Sequence, residues 1–219
     1  MTYYNLEVAY SKRENYKMFI EFIHIGKCGG GTVKESLTNS DNFKFNDIHT
    51  RKSHYNKYKK YLIVIRNPLQ RFISAFYWKY DKTINNVDTT TEEEIFYNKY
   101  NNIDEFCNDL KKNSNILQDY NITNHMYKGI EYYLENLIDN CRKDQIIGVI
   151  CQETLKDDVK NILDITVENR VHDNSSYSKN ITDENYKVLK DYLKNEYLII
   201  DKMYKYGWIT NKQYKILSK

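Results

Sequence analysis

The chain has 219 residues, of which 41% are hydrophobic and 15% aromatic, with only seven glycines and one proline. That length can bury a sizeable core, and the composition excludes collagen-like, linker-like and disordered chains. The 33 basic and 30 acidic residues leave a net charge of +3, which gives no reason to expect a nucleic-acid coat.

No run approaches the roughly 18 apolar residues of a membrane span. The first residues, Met1-Thr-Tyr-Tyr-Asn-Leu-Glu, show neither the basic nor the apolar part of a secretory leader, so the expectation is a cytoplasmic protein. Cys28, Cys107, Cys141 and Cys151 have no zinc-type spacing and are expected to be free thiols, with no metal.

Residues 18–25 form a short apolar run that stops at glycines and reads as a buried parallel strand. Four of the seven glycines crowd into residues 26–31, ahead of a helical segment, residues 32–37. A second strand is expected at residues 43–48 and a third, strongly β-branched, at residues 61–65. Pro68, the only proline, suits the first turn of a helix whose apolar face carries Leu69, Phe72, Ile73, Phe76 and Tyr77. Residues 81–91 read as a loop, and helices are expected over 92–100, 103–111 and 130–142. A fourth strand at 145–151 and a helix at 155–163 follow. Residues 168–179 read as polar loop, Asp183 as the cap of one long helix reaching about residue 206, and residues 208–217 close the chain. With no internal repeat or linker, residues 1–219 read as one domain.

Two segments carry chemistry. In Lys27-Cys-Gly-Gly-Gly-Thr32, successive glycines let backbone N–H groups turn toward one point at a helix start, a geometry that binds phosphate. It is not a Walker A loop, because Lys27 precedes the glycines and no GK[ST] follows. In Arg66-Asn-Pro-Leu-Gln-Arg-Phe-Ile-Ser-Ala-Phe76, Arg66 ends a buried strand while Arg71 and Ser74 lie one turn apart on the next helix. Such a guanidinium and hydroxyl can hold phosphate oxygens; equally, Arg71 can pair with a carboxylate and Ser74 can cap or pack.

Taken together these segments resemble the sulfotransferases that use 3′-phosphoadenosine 5′-phosphosulfate (PAPS), nearest to the carbohydrate-type, Golgi-like branch. The first segment is similar to that family's 5′-phosphosulfate loop, with Gly31 where Thr is usual. The second is similar to its 3′-phosphate motif, with Asn67 in place of Asp. The resemblance implies a P-loop-like, three-layer α/β/α fold around a mostly parallel sheet of about four or five strands. It implies PAPS as co-substrate, 3′,5′-diphosphoadenosine (PAP) as product and a hydroxyl acceptor, of which a carbohydrate is the expected kind. Carried over residue by residue, it puts Lys27, Cys28, Gly29, Gly30, Gly31, Thr32, Val33, Arg66, Ser74 and, from the later polar loop, Tyr177 on the donor, with Lys27 also stabilising the leaving oxygen.

Transfer to a hydroxyl also needs a base. The resemblance places a His or Glu after the second strand, where the sequence has His49, with His54 and Asp47 as alternatives. His24 reads as a core histidine, and His125 shows no usable pattern. A nucleotide kinase and a non-catalytic nucleotide-binding module stay open as other readings.

Overall fold

The computed structural model describes residues 17–167 and 181–219. The four expected strands form: β1 (Met18–His24), β2 (Phe43–Ile48), β3 (Tyr61–Ile65) and β4 (Ile146–Cys151). They make one all-parallel sheet in the order β2-β1-β3-β4. All five residues of β3 are buried, as expected for an inner parallel strand covered on both faces. From β1 the chain steps outward to β2 and then back across to β3, so the topological switch lies between β1 and β3. In open α/β sheets that crevice, at the carboxyl ends of the strands, is where ligands bind.

Helices complete a three-layer α/β/α arrangement. Helix α1 (Gly30–Thr38) joins β1 to β2, and α2 (Pro68–Ile84) follows β3. Next come α3 (Thr91–Lys99), α4 (Ile103–Leu110), the single turn α5 (Ile116–Asp119) and α6 (Ile130–Ile138). After β4 come α7 (Leu155–Leu163), α8 (Asp183–Tyr192), α9 (Lys194–Lys205) and α10 (Asn211–Leu217). The strands pack with α1, α6, α7, α9 and α10 in one apolar cluster. A second cluster, rich in rings such as Phe72, Phe76, Phe96 and Phe106, gathers around α2 to α5 and α8. Among the described residues no helix is long and apolar enough to cross a membrane.

Three expectations need correction. Helix α2 continues to Ile84 rather than yielding to a loop at residue 81, because Tyr80 and Thr83 remain buried. The expected single C-terminal helix is two, broken at the buried Leu193, whose N–H still bonds Leu189 while its carbonyl already accepts from Glu196 at 2.9 Å. Because only one residue leaves the helix, the apolar spacing hardly changes there. The cap of α8 is Thr182, whose hydroxyl accepts from the Asn185 N–H at 3.3 Å, and Asp183 lies inside the first turn.

Candidate active site

The glycine turn sits at the end of β1. Lys27 and Gly29 both take left-handed backbone angles, with φ of 67° and 82°, a conformation that glycine adopts freely and lysine only at a cost. These reversals swing the chain into α1 with Gly29 as an N-cap that has no side chain to offer. Gly30 and Gly31 open the helix with no side-chain cap over their N–H groups, at the end where the helix dipole favours an anion. Gly30 also has a packing role: a Cβ there would run into the His24 ring, 2.7 Å from its Cγ. Cys28, by contrast, packs its thiol into the sheet cluster, with Sγ 3.7 Å from the Gly26 carbonyl. Burial, against the pull of Arg71 and Arg66, pushes that thiol up to about 12. It is no nucleophile at neutral pH, and only its backbone belongs to the turn. Thr32 and Val33 are likewise buried and present backbone at the helix start.

Arg66 follows β3 across the crevice. Its Nη1 donates to the Lys27 carbonyl at 3.4 Å, so the two phosphate-type segments touch. Asn67 caps α2 by accepting from the Gln70 N–H at 3.1 Å, and its own amide donates to the Leu217 carbonyl at 3.1 Å. An aspartate could do the first but not the second, which gives the Asn a physical reason. Arg71 is wholly buried and forked onto Glu196, with Nη2–Oε1 at 3.0 Å and Nε–Oε2 at 3.4 Å. Its remaining Nη1 donates to the backbone oxygen of His125 at 2.7 Å. Of the two roles open to Arg71 in the sequence, the structure realises the carboxylate pair. Ser74 is half-buried, one turn further along α2 and on the side that also carries Trp78.

Between these segments lies a stack of imidazoles. The rings of His24 and His49 are 4.0 Å apart, 28° from parallel. His125 is 5.3 Å from His49 and 5.0 Å from the Trp78 ring, and the Lys27 ammonium rests 4.8 Å over that indole. The Nδ1 of His49 lies 2.8 Å from the His24 carbonyl. A carbonyl only accepts, so Nδ1 carries the proton and Nε2 has the lone pair. Burial holds His49 below the ordinary histidine range, although the His24 carbonyl works the other way. Burial would raise Asp47, but His24, 3.3 Å away, and Lys34, at 2.8 Å, overcome it and hold the carboxyl down to about 2. A carboxylate so firmly ionised is a poor proton acceptor. Burial, then the nearby His49, Lys27 and Arg71, push His125 down to about 3.

The sequence model of one family, described as the sulfotransferase family, matches residues 13–205. The chain belongs to the sulfotransferase family. Neither a curated protein nor a solved structure matches it. In this sulfotransferase the two sequence segments, 39 residues apart at their contact, meet at the carboxyl ends of β1 and β3. His49 lies in the same crevice. His54 is exposed, and its backbone oxygen accepts from the Tyr61 hydroxyl at 3.1 Å. Tyr177 lies outside the described residues. Sequence reasoning missed three rings of the cluster around His49: His24, His125 and Trp78. His24 was expected in the core, yet it forms one wall of the stack. One available signal was the repeat of β1 and β2: each pair from Met18↔Phe43 to Ile23↔Ile48 has the same offset, and the next step joins His24 to His49. Among the described residues no group of three or more His, Cys, Asp or Glu side chains is arranged to hold a metal ion.

Proposed function

We propose that this sulfotransferase moves a sulfuryl group from PAPS to a hydroxyl of a sugar or glycan, with His49 as the base. The observation that carries the reading is the His49 Nδ1–H bond to the His24 carbonyl, which leaves Nε2 as a neutral, oriented proton acceptor in the crevice that also holds the uncapped start of α1.

The residues present suit such a donor. The uncapped N–H groups of Gly30 and Gly31 offer bonds to the oxygens of the 5′-group, beside Thr32 in the same first turn. Lys27, at the same turn, offsets charge gathering on the leaving oxygen. We assign the 3′-phosphate to Arg66, whose guanidinium reaches the Lys27 carbonyl, and to Ser74 on the helix that follows. Bound there, PAPS supplies a sulfuryl group on a phosphate leaving group. His49 Nε2 takes the acceptor hydroxyl proton as the new S–O bond forms. A cleft of about 590 Å³ includes Met126, the residue after His125, and is lined by Tyr127, Tyr132, Asn115 and Gln118 together with carboxylates such as Glu131 and Glu135. Phenol rings and amides of that kind suit a sugar.

The test is binding calorimetry with PAP and AMP. Charge-assisted bonds from Arg66 and Ser74 to the 3′-phosphate should make PAP about 10- to 100-fold tighter, and Arg66→Ala should remove most of that preference. Equal affinities in the unaltered chain would overturn the donor assignment.

A further inference from the structure

We propose that His125 is a second imidazole of the transfer centre, donating a hydrogen bond to a sulfuryl oxygen of the bound donor. The inference rests on the PAPS reading above and adds a residue that neither sequence segment contains.

Position comes first. His125 belongs to the loop between α5 and α6, yet its ring lies between the base and the phosphate turn: 5.3 Å from His49, 5.0 Å from Trp78, and laid on Gly26, where a Cβ would come within 2.7 Å of its Cγ. Among the described residues its ring nitrogens take no hydrogen-bond partner, and its backbone oxygen accepts from Arg71. A half-buried imidazole left in that state is placed for a ligand or only for packing, and the surrounding architecture favours a ligand.

The loop is fixed from below by a buried ion pair. Arg71 sets Nε and Nη2 on Glu196 and its third nitrogen, Nη1, on the His125 carbonyl. Burying two charges is costly unless the geometry is good, and here the Arg71 of the pair also holds the backbone oxygen of His125 at 2.7 Å. Gly129 lets the chain close over the pair, since a Cβ there would lie 2.8 Å from Arg71 Nη2.

The protonation state then separates the two imidazoles. His125 is surrounded by Lys27, Arg71, His49 and His24 and stays neutral. It therefore keeps one N–H to donate and does not compete for the hydroxyl proton. In the transfer, sulfur forms a bond to the acceptor oxygen and loses its bond to the phosphate oxygen, which keeps the electron pair. The hydroxyl proton goes to His49 Nε2, and His125 retains its own. Preorganised N–H donors of this kind hold an anionic group without reorganising during reaction.

The experiment uses the full chain and compares His125→Phe with His125→Asn, reading PAP and PAPS affinity by calorimetry, kcat, and the melting temperature. The expected result for His125→Phe is PAP affinity within about twofold of the parent, about tenfold weaker PAPS binding, and kcat lower by about 100-fold. His125→Asn, which keeps an N–H donor, should recover part of both losses. A His125→Phe chain with the parent's PAPS-to-PAP ratio and kcat would overturn the proposal. So would equal losses for PAP and PAPS without rescue by Asn, the signature of packing alone. If the parent chain binds PAP no better than AMP, the donor reading itself has failed, and the role given to His125 falls with it.

Discussion

His49 Nδ1 lies 2.8 Å from the backbone oxygen of His24, and that contact fixes a tautomer between neighbouring parallel strands. It follows from register. Strands β1 and β2 pair with one constant offset through Ile23↔Ile48, so His24, the last residue of β1, and His49, the first residue after β2, come side by side. A slip of one residue would send His49 to the opposite face. The rings stack because the sheet delivers them together, and the Gly30 start of α1 leaves room for the first of them.

The pH profile of kcat tests the state of the base. Burial holds His49 below its ordinary 6.5, and a base works only when neutral, so activity should fall on an acid limb centred below 6.5. Asp47 favours the charged imidazole and does not itself titrate until about 2. Asp47→Asn should therefore move the limb to still lower pH. A limb above 6.5, or an upward move in the variant, would contradict the assignment.

Gly30→Ala should damage the site through His24. The new Cβ would press on that ring at the Cγ distance of 2.7 Å, and overpacking of this kind costs about 1–3 kcal/mol. Displacing His24 also displaces its stacked neighbour, so kcat should drop about tenfold or more, beyond the stability loss. Unfolding in urea together with initial rates checks both; a variant equal to the parent in each would show that the stack is not held this way.

The strands were legible in the sequence because their signals are local. β-branched runs such as residues 61–65 and the scarce glycines and proline mark strand ends and helix starts directly, and the structure puts β1 to β4 and the start of α2 where those signals lie. The break at Leu193 was hidden because α8 and α9 keep nearly the same apolar spacing. The imidazole stack was hidden for another reason. His125 reaches the crevice through a bond from Arg71, 54 residues earlier in the chain, to its backbone oxygen, and no spacing rule encodes that. The partner of Arg71 was equally invisible, since Glu196 lies 125 residues away.

The Arg71–Glu196 pair should separate stability from activity. Arg71→Ala strands a buried carboxylate and should cost about 3–5 kcal/mol in urea unfolding. Arg71→Met combined with Glu196→Leu removes both charges and should cost much less than the single change. The double variant would still lack the bond to the His125 carbonyl, so its kcat should stay low although it is folded. Full activity in the stable double variant would deny the pair any part in positioning.

The central claim is most directly tested by transfer of labelled sulfate from PAPS to a panel of hydroxyl-bearing glycans, comparing the parent chain with His49→Ala. The parent should sulfate at least one acceptor, and the variant should lose about 100-fold or more in kcat while binding PAP as tightly as the parent. Sulfation by His49→Ala at the parent's rate would contradict the account.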